Sequence, residues 1–323
     1  MTAPGTVLAP AFRTMLRAVE WRASGEVAVH GPSGTALVDG RGPRAAEELR
    51  RVLYEVFHAG RPVTGAVTDP DEEFLAGLAA SVRVPWSLSP GWRVVTAGAE
   101  DEPSVEQYGV RVSVRADRHL APGHRLVPGE VVTLRLPPCR PGLSPGFFSV
   151  IGSRGEPEGP LTRFYLNLPY RSVPKLVTAL TEQLELRGVV YAFKTLDMPA
   201  AYGRRDGTVL YARRRDRASA VESLSAALTS LPEPASTDVP PLTERVLPAV
   251  GAADEPGGAG FAGLSFGEHR CDAVARFLLD HHGRDATELV PLLAGELARR
   301  GIDPLAPYTS PPVPPAGAEE NDR

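Results

Sequence analysis

One lysine stands out among the residues that could do chemistry. Of the 35 lysines and arginines in the chain, only Lys175 and Lys194 are lysines. An arginine keeps its proton inside a protein, whereas a lysine can lose its proton and act as a base. Lys175 falls in the first turns of a predicted helix, where an arginine would serve equally well. Lys194 follows an apolar run in a predicted strand. Such a lysine most often marks a strand end that reaches water. Lys194 is therefore either a solvent-exposed residue at a strand end or a catalytic base.

The segment RFYLNL, at residues 163–168, predicts a strand with one polar face. The period of two puts Arg163, Tyr165 and Asn167 on the same side. We expect this rigid face either to be exposed to solvent or to present its side chains to a ligand. The strand that carries Lys194 is expected to lie beside it.

An arginine-rich segment follows Lys194. Six arginines fall between residues 204 and 217, and most of them predict solvated charge that is partly paired with neighbouring aspartates. Further along, a histidine and an arginine stand near the start of a predicted helix, where backbone N–H groups and arginines favour anions. A histidine at such a place is more often a cap or a surface residue. The candidates for substrate or phosphate binding are Arg163, Asn167, Arg204, Arg205, Tyr211, Arg245, His269 and Arg270.

A base, a phenol and several arginines suit the β-elimination of phosphate from a phosphorylated residue. A neutral Lys194 would take the α-proton, and burial together with nearby arginine charges would lower its pKa. The arginines would bind the phosphate through paired hydrogen bonds and stabilise its charge as it leaves. The phenol of Tyr165 would protonate the departing oxygen. This chemistry needs no cofactor and no metal ion, and the seven histidines show no metal-ligand spacing.

The composition narrows the classes of protein. The chain has 323 residues, 42% of them hydrophobic, and a formal net charge of −4. A general nucleic-acid binder would usually carry a basic excess, so we expect no nucleic-acid partner. Cys139 and Cys271 stand far apart, which argues against a disulfide scaffold and a cysteine-rich zinc site. No apolar run approaches the length of a membrane span, and the N-terminus lacks the pattern of a secretory signal. We therefore expect a cytoplasmic protein with no membrane partner.

The apolar periodicity predicts an α+β fold, in which a helical N-terminal part is followed by a mixed β-sheet with packed helices. Residues 1–125 are expected to be mainly helical, with helices at 10–22, 44–58 and 71–83, the last opened by Asp69 and Pro70. Strands are predicted at 108–114, 130–136, 147–151, 163–168, 189–196 and 208–213, and further helices at 173–187, 217–230, 266–281 and 286–299. The helix at 173–187 favours parallel strands on either side of it, joined by a right-handed crossover. The segment 251–263 is predicted to be a glycine-rich loop, and the proline-rich tail 302–323 to be disordered.

Three ordered motifs carry a resemblance to a known group. The segments FYLNLP, FKTLDMPAAYGRRDGTVLY and LSFGEHRC resemble the HopA-type effector family, and the resemblance spans about residues 126–300. In actinobacteria, members of that family serve as lyase subunits in pathways to ribosomally made peptides, including class V lanthipeptides and thioamitides. The resemblance implies a lyase domain over residues 126–301, with residues 1–125 as a place where a leader peptide or a kinase could dock.

The chain is more distantly similar to the phosphothreonine lyases of bacterial pathogens, which implies a fold like theirs. Against that pattern, Lys194 takes the position of the catalytic base, and Arg163 takes that of a substrate-binding lysine. Tyr165 takes the position of a histidine acid, which is a departure, because a phenol with its usual pKa of about 10 is the weaker acid. The later positions align only loosely; they are Arg204, Arg205, Tyr211, Arg245 and Arg270.

The resemblance implies a phosphoserine/phosphothreonine lyase, which is a carbon–oxygen lyase acting on phosphates. Its substrate would be a kinase-phosphorylated precursor peptide, and its product would contain dehydroalanine or dehydrobutyrine. A separate Ser/Thr kinase is then the expected partner, because nothing in the chain resembles a kinase loop. Two alternatives stay open. One is a non-catalytic subunit that binds phosphopeptide or activates the kinase, which the tyrosine at the acid position favours; the other is an effector delivered into a host cell.

Overall fold

The computed structural model describes residues 8–61, 71–98, 102–257 and 263–310. The fold is α+β, as predicted, and its named strands form three sheets of three, seven and four strands. The seven-stranded sheet carries the candidate residues. The two smaller sheets are built from the chain before residue 137.

The N-terminal third is mixed, which corrects the prediction that it is mainly helical. Helix α1 (Pro10–Arg17) is shorter than the helix predicted at 10–22, and the chain continues into a three-stranded sheet of β1 (Val19–Trp21), β2 (Glu26–Gly31) and β3 (Gly34–Asp39). Strand β1 has only three residues, and β2 buries Val27, Ala28 and Val29 in succession, so neither shows a period of two. Helix α2 (Ala45–Leu53) and a single π-helical segment, Tyr54–Ala59, replace the helix predicted at 44–58. We call this segment the π-turn.

A four-stranded sheet follows helix α3 (Glu72–Ser81), which Asp71 caps by accepting a hydrogen bond from the N–H of Phe74. The expected cap at Asp69 and Pro70 lies outside the described residues. The strands are β4 (Ser87–Thr96), β5 (Ser104–Gln107), β6 (Val110–Ser113) and β7 (Val131–Leu136), in the order β6-β5-β4-β7, with helix α4 (Ala116–His119) before β7. The strand predicted at 108–114 begins instead with a tight turn, in which Tyr108 has a positive φ of 50°.

Seven strands form the central sheet, and every neighbouring pair is antiparallel. They are β8 (Cys139–Ser144), β9 (Phe147–Ile151), β10 (Leu161–Leu166), β11 (Tyr191–Leu196), β12 (Thr208–Arg213), β13 (Glu244–Leu247) and β14 (Val250–Asp254). Their order is β13-β14-β10-β12-β11-β9-β8. Strand β14 occupies part of the predicted glycine-rich loop, because small residues fit a strand that is buried between β10 and β13. Residues 258–262 of that loop lie outside the described residues.

Strand β12 separates the two strands that carry the candidate base and the candidate phenol. Helix α5 (Val173–Leu186) joins β10 to β11, and these two strands are parallel to each other because both pair antiparallel with β12. The sequence correctly predicts that direction. The prediction that the two strands are direct neighbours is wrong, however. The chain turns back after β11, and β12 lies between β10 and β11.

Different helices cover the two faces of the central sheet. The remaining helices are α6 (Arg217–Thr229), α7 (Phe266–Asp280) and α8 (Ala286–Arg299). Helices α5 and α6 pack on one face, where Phe164, Phe193 and Leu210 belong to a core that includes their apolar side chains. On the opposite face, Tyr165 and Val209 belong to a second core that includes side chains of α2 and α7. The polar side of β10 therefore faces other parts of the protein and is not an open sheet surface.

The beginning of the predicted disordered tail is packed on the fold. Ile302 is buried, the N–H of Ala9 donates a hydrogen bond to the carbonyl of Pro304 (2.8 Å), and the N–H of Asp254 donates to the carbonyl of Tyr308 (2.8 Å). Residues 302–310 thus depart from the predicted disorder, because they satisfy backbone groups at the end of β14 and before α1. Residues 311–323 lie outside the described residues.

Candidate active site

The strand register brings four of the predicted residues onto one face of the central sheet. Lys194 of β11 and Tyr165 of β10 both pair with Val209 of β12, one from each side. Arg163 pairs with Tyr211 in the next row of the same face. Because neighbouring strands lie about 4.8 Å apart, each row spans roughly 10 Å across the three strands. Two adjacent rows therefore hold a lysine, an arginine and two phenols.

The β8–β9 hairpin covers the side chain of Lys194. The Nζ atom of Lys194 donates a hydrogen bond to Oγ of Ser144 (3.2 Å) and lies 4.2 Å from the centre of the Phe147 ring. No salt bridge joins it to a carboxylate among the described residues. Burial, followed by the charge of Arg163, lowers the pKa of Lys194, and two carboxylates oppose this shift without reversing it. The site therefore favours the neutral amine that a base requires.

Arg163 lies beside Lys194 and Tyr165 and is held on two sides. Its Nε and Nη2 atoms donate hydrogen bonds to the carboxylate of Glu255, and its guanidinium lies 5.0 Å from the centre of the Tyr211 ring. A guanidinium has five N–H donors, so those on Nη1 and one on Nη2 are left over for a substrate anion. The arrangement fixes the planar group in one orientation, which suits recognition of a phosphate.

The hydroxyl of Tyr165 is closed off from solvent. The residue is 2% exposed, and its oxygen is buried with no hydrogen-bond partner within the described residues. The ring of His58 packs against it edge-on at 5.0 Å between ring centres, and the ring of Phe266 lies at 6.2 Å. Burial raises the pKa of Tyr165 despite the opposing charge of Arg163. The sequence predicts this residue as the acid, and the structure buries its hydroxyl while its ring packs against two other aromatic rings.

The π-turn supplies His58, which the sequence analysis did not identify. Its ring is buried between Tyr54, Tyr165 and Phe266, and Gly267 of α7 lies so close that a Cβ there would stand 2.5 Å from the imidazole. Burial lowers the pKa of His58 to about 4, so the imidazole is neutral at neutral pH. Its Nδ1 atom has no hydrogen-bond partner within the described residues.

A buried ion pair lies behind the π-turn. Arg204 donates hydrogen bonds from Nε and Nη2 to the two carboxylate oxygens of Asp206, each at 2.8 Å, and the hydroxyl of Tyr54 donates to the same carboxylate at 2.5 Å. Burial would raise the pKa of Asp206, but the hydrogen bonds and the charge of Arg204 outweigh it and hold that pKa below its usual value. The phosphate-binding candidate Arg204 is therefore paired with a carboxylate, as Arg163 is, but its partner Asp206 is buried with it, whereas Glu255 is partly exposed.

Arg205 fastens the π-turn to the loop before β12. Its N–H donates a hydrogen bond to the carbonyl of Ala59 (2.9 Å), its Nη1 to the carbonyl of Val56 (3.4 Å), and its Nε to Asp238 (2.8 Å). The sequence predicts a phosphate ligand here, and the structure shows a side chain that attaches one segment to another.

Asn167 and Arg245 stand apart from the two rows. Asn167 is buried beyond the end of β10, where its main-chain carbonyl accepts a hydrogen bond from the N–H of Ser236 (2.9 Å). The guanidinium of Arg245 donates to the carbonyl of Pro248 (2.5 Å), and the side chain is exposed. Thr243 lies over Gly251, the residue that pairs with both Arg245 and Tyr165, so this arginine is screened from the phenol.

His269 and Arg270 of α7 hold the C-terminal segment. The fully buried guanidinium of Arg270 donates hydrogen bonds to the carbonyls of Pro307 (2.8 Å) and Thr309 (2.9 Å) and to Oγ of Ser310 (3.2 Å). Its Nη1 is 2.7 Å from Nδ1 of His269. Burial and the neighbouring arginine charge lower the pKa of His269 to about 3. Most of the donors of this arginine are therefore committed to the protein itself.

Three contributors to the site carry no clear sequence signal. Tyr54 and His58 are four residues apart in a predicted amphipathic helix, where aromatic pairs are ordinary core residues. Asp206 stands two positions after Arg204 in a turn, a spacing that indicates surface charge. A π-turn and a burial partner more than 140 residues away in the chain decide their roles instead.

Two kinds of feature are not found among the residues that the structure describes. No three side chains of His, Cys, Asp or Glu come together as a metal ion would require. No helix in the described ranges combines the length and the apolar character needed to cross a membrane. Cys139 and Cys271 are both free thiols.

The comparison with protein families decides the relationship that the motifs indicate. The family model of the HopA1 effector protein family matches residues 139–309, just over half of the chain. The chain belongs to the HopA1 effector protein family. The matched range contains both rows of the candidate site and helix α7, whereas the π-turn with His58 lies outside it. No curated protein matches the chain.

Solved structures of two bacterial effector proteins are similar to this chain. An effector protein from Pseudomonas syringae pv. tomato strain DC3000 is 14% identical, with a TM-score of 0.50 over 83% of this chain and 91% of that one. An effector from Pseudomonas syringae pv. syringae strain 61 is 16% identical, with a TM-score of 0.47 over 83% of this chain and 94% of that one. The first likeness shows the fold, and it extends beyond the range that the family model matches.

Proposed function

We propose that the protein is a phosphoserine/phosphothreonine lyase that eliminates phosphate from a kinase-phosphorylated, ribosomally made precursor peptide. The observation that carries the proposal is the surroundings of Lys194. This amine is shielded by a hairpin, free of a carboxylate partner within the described residues, and on the same sheet face as Arg163, whose charge lowers its pKa.

The two groups divide the work in the proposed reaction. Neutral Lys194 takes the α-proton of the phosphorylated residue, the Cα–Cβ double bond forms, and the Cβ–O bond breaks with its electron pair on oxygen. Arg163 binds the phosphate and stabilises its charge as it departs. The product is dehydroalanine from phosphoserine or dehydrobutyrine from phosphothreonine.

The motif resemblance supports the biological setting of the proposal. A separate Ser/Thr kinase supplies the phosphopeptide and forms a complex with this chain, and the reaction takes place in the cytoplasm, where the kinase finds ATP. The segments FYLNLP and FKTLDMPAAYGRRDGTVLY carry this part of the proposal.

A synthetic phosphoserine peptide and its phosphothreonine analogue test the activity. Incubation with the purified protein should release inorganic phosphate and leave each peptide at its unphosphorylated mass less one water. Lys194→Arg keeps the positive charge but cannot yield the neutral amine, so the phosphopeptide should persist. Lys175→Arg is the matched control, because Lys175 is exposed on α5.

Three results would overturn the proposal. A product at the full unphosphorylated mass indicates hydrolysis and a phosphatase. Binding of the phosphopeptide without release of phosphate, even with a kinase present, indicates a non-catalytic subunit. Normal elimination by Lys194→Arg removes the lysine from the role of base.

A further inference from the structure

Two phenols lie on the face that holds Lys194, and the fold treats them differently. Tyr165 and Tyr211 occupy neighbouring strands in adjacent rows. A proton donor to the departing phosphate must reach an oxygen of the substrate at hydrogen-bond distance. Whether the substrate can reach each hydroxyl therefore decides which phenol can act as the proton donor.

The hydroxyl of Tyr165 is buried, and the Tyr165 ring packs edge-on against His58, which is itself 1% exposed. Tyr54 stands 4.9 Å from the imidazole between ring centres, and Gly267 lies so close that a Cβ there would stand 2.5 Å from it. A substrate oxygen could reach the Tyr165 hydroxyl only if this packing opened.

Tyr211 is less enclosed than Tyr165. Its side chain is only partly buried, and its oxygen, unlike that of Tyr165, is not one of the fully buried oxygens without a hydrogen-bond partner. Its ring lies under the guanidinium of Arg163, 5.0 Å from the ring centre. On central strand β12, Tyr211 is two residues from Val209, the residue that pairs with Lys194. The phenol thus lies next to both the phosphate-binding group and the base.

We propose that Tyr211 is the catalytic acid, which protonates the phosphate oxygen as the Cβ–O bond breaks. This inference rests on the proposed lyase function, and it moves the acid from the position that the motif resemblance implies, Tyr165, to the neighbouring strand.

The proton balance closes without another reactant. The α-proton passes to Nζ of Lys194, the C–H electron pair forms the double bond, and the Cβ–O pair goes to the oxygen. The Tyr211 proton joins that oxygen, so hydrogen phosphate leaves. The ammonium of Lys194 then returns its proton to the tyrosinate, directly or through water, which regenerates both groups.

The protonation states fit this division of roles. Burial lowers the pKa of Lys194, whereas burial raises the pKa of Tyr211 against the opposing charge of Arg163. The lowered pKa of Lys194 favours the neutral amine and the raised pKa of Tyr211 favours the protonated phenol, so both shifts act toward the forms that elimination requires.

The test compares Tyr211→Phe, Tyr165→Phe and Tyr108→Phe on the same phosphoserine peptide, with kcat and KM measured over a range of pH. Tyr108 is 96% exposed in the β5–β6 turn and controls for loss of a phenol elsewhere. Tyr211→Phe should lower kcat by about 10²–10⁴-fold and remove the alkaline fall of the rate. Tyr165→Phe should lower kcat far less than Tyr211→Phe and should keep the alkaline fall, because the Tyr165 hydroxyl is buried.

The outcomes separate this inference from the proposed function. If the wild-type protein releases no phosphate, the lyase function is wrong and the acid assignment falls with it. If the wild type is active and Tyr165→Phe abolishes the rate while Tyr211→Phe does not, only the assignment of Tyr211 is wrong. A rise in KM with unchanged kcat in Tyr211→Phe would also overturn it, because that split indicates substrate binding without proton transfer.

Discussion

Gly267→Ala should drive a methyl group into the ring of His58 and destabilise the protein. The added Cβ would stand 2.5 Å from Cγ, 2.6 Å from Cδ2 and 2.7 Å from Nδ1 of the imidazole. Carbon atoms in contact normally lie about 3.5–4.0 Å apart, so the ring would have to move by roughly 1 Å. Tyr54 and Tyr165 occupy the space into which it would move.

The cost follows from overpacking a buried ring. Forced insertion of a methyl group into a packed core costs about 1–3 kcal/mol, and the better helix propensity of alanine offsets at most about 1 kcal/mol. In a chain of this size, we expect the melting temperature to fall by roughly 1–4 °C. Gly295→Ala is the matched control, because Gly295 is exposed in α8 and a Cβ there meets nothing within 4 Å. It should stabilise the protein by about 0.5–1 kcal/mol.

Urea unfolding of four proteins measures the contact itself. These are the wild type, Gly267→Ala, His58→Ala and the double variant. With the imidazole removed, alanine at position 267 should cost nothing or stabilise slightly, giving a coupling energy of about 1–3 kcal/mol. Equal costs in both backgrounds, or a stabilisation like that of Gly295→Ala, would refute the placement of the π-turn against α7.

Two further predictions concern buried groups. Because burial lowers the pKa of His58 from 6.5 to about 4, the unfolded chain takes up a proton at a higher pH than the folded one, and stability should fall as the pH drops through this range. A pKa shift of this size contributes about 3 kcal/mol to the free energy of unfolding. Urea unfolding at about pH 7 and about pH 4 should show that His58→Phe loses this part of the pH dependence. A variant as pH-sensitive as the wild type would contradict the burial of a neutral imidazole. Arg270→Met leaves buried carbonyls of Pro307 and Thr309 without a donor and should cost roughly 2–5 kcal/mol. Limited proteolysis should then cut within residues 302–310, and continued protection there would show that the arginine does not hold the segment.

The site was predictable where a short-range rule applied. The scarcity of lysine singles out Lys194, and the period of two places Arg163 and Tyr165 on one face, as the strand register shows. The burial of Tyr165 was not predictable, because its cover comes from residues 58 and 266, more than 90 positions away on either side. The partners of Arg270 were hidden in the same way, since they lie at 307–310 in a segment whose composition indicates disorder.

The fold shows the same division. The bounds of β9, β12 and α8 agree with the prediction, because their apolar patterns are bounded by clear turn or capping residues. Strand β14 has the sequence VGAAD, which carries almost no strand signal. Its neighbours β10 and β13 supply the hydrogen bonds that make it a strand. The order of the central sheet likewise depends on long-range pairing, which a local pattern does not encode.

The attachment of the π-turn has a consequence for which of its side chains can change. The hydrogen bonds by which Arg205 holds the segment all run to main-chain carbonyls, those of Val56, Phe57 and Ala59. Carbonyls are present whatever side chain a residue carries. A substitution at a partly exposed position of the segment, Glu55 or Val56, therefore leaves these hydrogen bonds in place, so that the outer side chains of the π-turn can change while its backbone keeps its position.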